Sequence, residues 1–128
     1  MRKCLLFSLV FGALLLPAAA LADAHSEIVG AAKHADLATQ AHDLAAVRMH
    51  LHHALNCLVG PRGAGFYVHA TNPCAKAGHG AIPDSNDAQT KATLEAAAAK
   101  ARAGIAESDI AIAKTDAADT VALLQKYE

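Results

Sequence analysis

The chain has 128 residues, of which 54% are hydrophobic, and its 11 Lys and Arg residues nearly balance its 12 Asp and Glu residues. This length fits a single domain. The near-neutral charge and the low aromatic content of 4% argue against a nucleic-acid-binding protein, which would carry a basic stripe or stacking aromatics.

Residues 1–22 have the pattern of a secretory signal peptide. Arg2 and Lys3 precede an apolar run over residues 5–16, and small residues follow it. The run is shorter than the roughly 20 residues that a membrane-spanning helix needs, so no membrane span is expected. The triplet Ala20-Leu21-Ala22 predicts cleavage before Asp23, with cleavage after Ala20 or Ala24 as alternatives. We therefore expect a periplasmic or secreted protein.

The first predicted helix covers about residues 25–58. Apart from Gly30 this stretch holds no Gly or Pro, and leucines recur at seven-residue steps, at Leu37, Leu44, Leu51 and Leu58. Such spacing places the leucines along one side of a helix.

A loop rich in Gly and Pro is predicted for residues 59–84, because few helices survive that density of breakers. Cys57 and Cys74 are the two cysteines left after loss of the signal peptide, which contains Cys4. An even number of cysteines in an exported chain favours a disulfide over thiolate metal ligands. We therefore predict a Cys57–Cys74 disulfide that closes the loop.

Residues 85–127 again have a helical pattern, but the apolar face changes side near residues 104–108. The region is either one helix that buries different faces or two helices with a break. The predicted fold class is all-α, with residues 23–128 forming a long antiparallel helical hairpin or a three-helix bundle. Alanine side chains bury little area, so a homodimer of hairpins is an alternative.

Histidine is the most distinctive residue type. All eight histidines lie between residues 25 and 79, and five of them fall on the first predicted helix after its opening turns. On a wheel for one continuous helix, His42, Met49, His50 and His53 lie opposite the leucines, whereas His34 and His52 lie at the flank. His50 and His53 are at i, i+3, a spacing that lets two side chains reach one ion.

The histidine and methionine face predicts a transition-metal site at His42, Met49, His50 and His53. Imidazole binds copper, zinc, nickel and iron, and the thioether of methionine adds a preference for Cu(I), so copper is the favoured metal, with nickel and zinc as alternatives. Non-covalent haem with an axial histidine is less favoured, and the Cys-x-x-Cys-His pattern of covalent haem attachment does not occur.

A second candidate site depends on cleavage before Asp23. The mature chain would then begin Asp23-Ala24-His25, which resembles the amino-terminal copper- and nickel-binding motif at the start of serum albumins. The resemblance implies a planar set of four nitrogens, from the amine, two backbone amides and the His25 imidazole, a geometry that suits Cu(II) and Ni(II).

We do not expect an enzyme, because the motifs of common hydrolases, metalloproteases and nucleotide-binding folds do not occur. The favoured function is an exported helical protein that binds or buffers a transition metal. Two alternatives are a structural or interaction module that presents the disulfide-closed loop to an envelope protein, and a pH-responsive envelope protein whose imidazoles charge together.

Overall fold

All regular structure in the computed structural model, which describes residues 23–127, is helical. The predicted signal peptide and Cys4 lie outside the described residues. No helix among those described is long and apolar enough to cross a membrane. The helices are α1 Ala24–Gln40, α2 Leu44–Val59, α3 Ala81–Asp84, α4 Ala88–Ala106 and α5 Ile110–Leu124, and a single 3₁₀ turn Gln125–Tyr127 follows.

The four long helices form a bundle of two antiparallel hairpins. Helix α1 pairs with α2 and α4 pairs with α5, while α1 also packs on α5 and α2 on α4. The prediction of an all-α fold is confirmed, and so is the Cys57–Cys74 disulfide. The bundle contains four long helices, rather than the two or three expected, because each long helical pattern in the sequence is broken once.

The first break lies at residues 41–43, where the sequence predicts one continuous helix over 25–58. Ala41 adopts an extended conformation, and the Asp43 carboxylate accepts a hydrogen bond from Ala46 N at 2.8 Å. An aspartate at this N-cap position satisfies an amide that the new helix would otherwise leave unpaired. The chain therefore turns back here, although the segment contains no Gly or Pro.

The second break lies at residues 107–109 and has the same design. Glu107 is extended, and the Asp109 carboxylate accepts hydrogen bonds from Ala111 N at 2.7 Å and Ile112 N at 3.2 Å. The two helices pack on each other through different apolar faces, which accounts for the change of face that the sequence indicated.

The two hairpins correspond position by position, since a residue of the first hairpin has its counterpart 66 positions later, as Asp43 does in Asp109. Arg48 donates a hydrogen bond to Glu107 O, and the corresponding Lys114 donates to Ala41 O. Buried positions also correspond, in the pairs Ile28/Leu94, Ala31/Ala97, Ala32/Ala98, Ala35/Ala101, Ala38/Gly104, Val47/Ala113, Leu51/Ala117, Ala54/Thr120 and Leu58/Leu124.

The core combines closely packed alanines with a few large side chains, chiefly Leu51, Leu55, Leu58, Leu94 and Leu124. Alanines on facing helices permit close approach, and each fully buried leucine contributes about 2 kcal/mol. Gly104 shows how close the approach is, because an added Cβ there would lie 2.6 Å from Leu51 Cδ1.

The loop between α2 and α3 is held by one buried side chain and by the disulfide. The Asn56 amide donates to Tyr67 O, Ala70 O and Thr71 O, and its carbonyl accepts from Tyr67 N at 2.8 Å. The disulfide joins α2 to the far side of the same loop, at Cys74. These contacts fix a segment that would otherwise lack regular backbone hydrogen bonds.

Candidate metal centre

The centre forms where α1 and α2 pack in antiparallel register. An added Cβ at Gly30 would lie 3.5 Å from Cys57 Sγ, so these two positions face each other. One turn further along α1 and one turn back along α2, His34 faces His53 with 4.9 Å between the ring centroids. The register of the hairpin thus places a histidine of α1 against the histidines of α2.

Three imidazoles meet at this level of the hairpin. The His50 ring lies 5.9 Å from His34, nearly parallel to it, and 5.9 Å from His53, nearly perpendicular. One ring nitrogen from each histidine lies within 4.8 Å of the other two. Nitrogens bound to one tetrahedral zinc ion are roughly 3.4 Å apart, given bonds of about 2.0–2.1 Å. Small side-chain rotations would therefore close the three around one ion.

The surroundings favour neutral imidazoles. Burial, reinforced by the neighbouring His53, His50 and Lys33, lowers the pKa of His34 to about 4. Burial and the adjacent His50 also lower the pKa of His53. Because a metal ion binds the neutral form of imidazole, protons compete little for His34 and His53 near neutral pH.

Each of the three histidines also has a buried nitrogen without a hydrogen-bond partner. Nδ1 of His34, His50 and His53 contacts no donor or acceptor within the described part of the chain. Buried polar atoms are normally paired, so three such atoms in one cluster need an explanation. An ion bound by the cluster is one such explanation.

The second hairpin has a polar cluster at the corresponding level. Lys100, Asp116 and Asp119 occupy the positions equivalent to His34, His50 and His53. The Lys100 ammonium lies 2.8 Å from Asp119 Oδ2 and 3.5 Å from Asp116 Oδ1. There the chain supplies its own cation between two carboxylates, whereas the first hairpin places three imidazoles at the same level.

The structure brings together only part of the residue set predicted from sequence. His50 and His53 belong to the cluster, whereas His42 is exposed in the link between α1 and α2 and Met49 is 44% exposed on α2. Sequence reasoning missed His34, because a wheel for a continuous helix ignores the reversal at residues 41–43. The sequence signal for this reversal is Asp43, an aspartate that can cap the start of a new helix.

The residues that resemble the amino-terminal copper motif lie at the start of α1. Asp23 N donates to Ala77 O at 3.0 Å, and His25 Nδ1 lies 3.0 Å from Tyr127 O. Asp23 is the N-cap residue, and the amides of Ala24 and His25 lie in the first helical turn. A planar four-nitrogen site would require this turn to unwind, and the site stays a prediction.

A separate cluster of carboxyl groups joins α1 to α3. The Glu27 side chain is 1% exposed and accepts a hydrogen bond from Gly80 N at 2.7 Å. Asp84 lies beside it and is contacted by His79, whose N donates to Oδ2 at 2.7 Å and whose ring nitrogen lies 3.2 Å from Oδ1. Burial, reinforced by Asp84, raises the pKa of Glu27 to about 7.

His52 and His69 both contact Tyr67 of the loop after α2. The His52 ring stacks on Tyr67 with 4.2 Å between centroids, and Tyr67 meets His69 edge to face at 5.4 Å. Burial lowers the pKa of His52, and the charge of the nearby His53 lowers it further. These contacts give His52 a packing role outside the cluster of three.

The comparisons with known proteins leave the site to be interpreted from its own geometry. The chain matches no family model, and neither a curated protein nor a solved structure shows significant similarity to it.

Proposed function

We propose that the protein binds one transition-metal ion at the level of the first hairpin where His34, His50 and His53 meet, and that it acts as an exported metal-binding or metal-buffering protein. The observation that carries this proposal is the convergence of three ring nitrogens within 4.8 Å from two different helices. Two ligands from α2 and one from α1 would make the ion a bridge between the helices.

The second hairpin supports the proposal as an internal comparison. Its equivalent positions hold an ammonium group between two carboxylates, so this level of a hairpin accommodates a cation. In the first hairpin the same level offers nitrogen donors only. A bound metal ion would supply the positive charge there and would occupy the lone pairs that the imidazoles leave unused.

Copper is the ion that we propose. The donor set is three imidazoles with no cysteine or carboxylate among them, and such nitrogen donors bind Cu²⁺ more tightly than Ni²⁺ or Zn²⁺. Met49 precedes His50 and would favour Cu(I) if its thioether joined the site. Met49→Leu should then weaken binding of Cu(I) and leave the affinity for Zn²⁺ unchanged.

The direct test is calorimetric titration of tag-free protein with Cu²⁺ and, separately, with Zn²⁺. We expect one ion per chain, and His34→Gln should lower the affinity at least about ten-fold because it removes a direct ligand. His42→Gln and His69→Gln are matched controls, since both remove an exposed histidine outside the cluster. Equal affinity in His34→Gln and His42→Gln would overturn the site.

A second control replaces the three histidines with the residues at the equivalent positions of the second hairpin. The triple variant His34→Lys, His50→Asp, His53→Asp copies the ion network of the second hairpin into the first. We expect it to keep the helix content of the wild type and to lose the single tight site. Binding at the wild-type affinity would show that the metal sits elsewhere.

Export is part of the proposal, and it rests on residues 1–22 and on the disulfide, which is consistent with an oxidising compartment. Cell fractionation and the intact mass of the native protein test it together. The mass also determines whether Asp23 is the first residue, and His25→Gln then measures whether the amino-terminal motif adds a second copper equivalent.

One observation favours a second candidate function, a module that presents its loop to an envelope protein. Val68 is 74% exposed in a loop segment that Asn56 holds rigidly. Crosslinking in intact cells tests this idea. If it holds, Val68→Ser loses the crosslinked partner that the wild type captures, while Val29→Ser, on another exposed valine, keeps it.

A further inference from the structure

A cleft separate from the three histidines opens where the end of α2, the turn after it, α3 and α4 meet. Its volume is about 530 Å³, within the range of cavities that hold small organic ligands. Val59, Ile82 and Pro83 supply apolar walls, and the polar groups that line it are Arg62, Arg102, His79 and Glu95.

The two arginines leave most of their donors unused. Arg102 Nη2 donates to Ala64 O at 2.8 Å, which anchors the guanidinium on the turn after α2. Gly65 permits this approach, since an added Cβ would lie 3.0 Å from Arg102 Nε. Arg62 has no hydrogen-bond or ion-pair partner within residues 23–127. Two guanidinium groups therefore border the cleft with donors available to a ligand.

The lining of the cleft also includes an acidic residue, Glu95. Glu95 lies on α4 two helical turns before Arg102, roughly 10 Å away along the axis. It forms no ion pair with any described residue. His79, which also lines the cleft, is engaged by the Asp84 carboxylate through Nδ1. The arginine end of the cleft thus carries positive charge without an ion-pair partner among residues 23–127, beside apolar walls.

We propose that this cleft binds a small organic monocarboxylate with an apolar body. The planar guanidinium groups of Arg62 and Arg102 match the geometry of a carboxylate, and paired N–H donors give such contacts strength and direction. The apolar body would lie against Val59, Ile82 and Pro83. Inorganic phosphate has the charge but no apolar body, so the cleft should bind it weakly.

The test is an NMR titration of the whole protein with phenylacetate as the probe, compared with phenylacetamide and inorganic phosphate. We expect saturable shifts for residues 59–65, 82–83 and 102. Phenylacetamide should bind at least about ten-fold more weakly than phenylacetate, since it lacks the charge that strengthens hydrogen bonds to arginine.

Variants decide whether the arginines are responsible. Arg62→Gln should weaken phenylacetate binding about ten-fold, whereas Lys126→Gln, which removes an exposed cation near the end of the chain, should leave it unchanged. Three results would overturn the proposal: absence of saturable shifts, equal binding of phenylacetamide or phosphate and phenylacetate, and wild-type affinity in Arg62→Gln.

Discussion

Replacing Glu27 with glutamine should make the protein more stable at alkaline pH. The buried carboxyl of Glu27 faces Asp84, and these surroundings raise its pKa from 4.5 to about 7. Each tenfold change in proton affinity corresponds to about 1.4 kcal/mol, so ionising Glu27 costs the folded protein about 3 kcal/mol. Because the folded pKa is the higher one, the stability from the protonated carboxyl is complete below pH 4.5 and is lost as the pH rises to about 7.

Glutamine keeps the shape of the protonated carboxyl and still accepts a hydrogen bond from Gly80 N, but it cannot ionise. The free energy of unfolding of Glu27→Gln, relative to wild type, should therefore rise by about 2–3 kcal/mol between pH 5 and pH 8. Urea unfolding of metal-free protein, followed by circular dichroism at both pH values, measures this difference. His34 has the opposite effect, because its lowered pKa costs stability as the pH falls from 6.5 towards 4. This contribution cancels in the difference between the variant and the wild type, since both contain His34.

Glu95→Gln is the matched control, since this exposed glutamate makes no ion pair with another described residue. Its stability relative to wild type should change little between the two pH values. If Glu27→Gln and wild type lose stability in parallel from pH 5 to pH 8, the carboxyl is already ionised in the fold and the reasoning is wrong.

Three further changes test the packing around the loop. Gly30→Ala places a Cβ 2.6 Å from Cys74 Sγ, so it should cost about 1–3 kcal/mol and lower the Tm in thermal unfolding; an unchanged Tm would contradict this close approach. Asn56→Ala leaves Tyr67 N without its acceptor and should cost about 2–3 kcal/mol in urea unfolding, with a loss below 0.5 kcal/mol counting against the anchoring role. Reduction of Cys57–Cys74 should cost about 3 kcal/mol, and equal midpoints with and without a thiol reductant would refute it.

Regular apolar spacing made the helical fold and the loop predictable, but it could not locate the first break. Asp36 and Asp43 are both aspartates within the same helical pattern, yet Asp36 lies inside α1 and receives a hydrogen bond from Gln40, whereas Asp43 caps α2. Local sequence offers both residues as N-caps. The packing of the returning helix on α1 decides between them, and that contact is not local.

Local spacing also determines which residues of the candidate centre could be predicted from the sequence. His50 and His53 are one turn apart on a single helix, so their proximity follows from local spacing. His34 reaches them only because residues 41–43 reverse the chain, and on the wheel of one continuous helix it lies at the flank, apart from His50 and His53. The correspondence between His34 and Lys100 likewise emerges only when the buried positions of the two hairpins are aligned.

The two hairpins differ in how the polar groups at the level of His34 and Lys100 are satisfied. A buried nitrogen without a partner costs about 1–3 kcal/mol, and the first hairpin contains three at one level. The second hairpin shows that the same backbone accepts Lys100, Asp116 and Asp119, whose charges satisfy one another. The fold thus has a self-satisfied alternative that it does not use in the first hairpin. The unpaired nitrogens of the first hairpin support the proposed metal site, because groups that bind one another are not free to bind an ion.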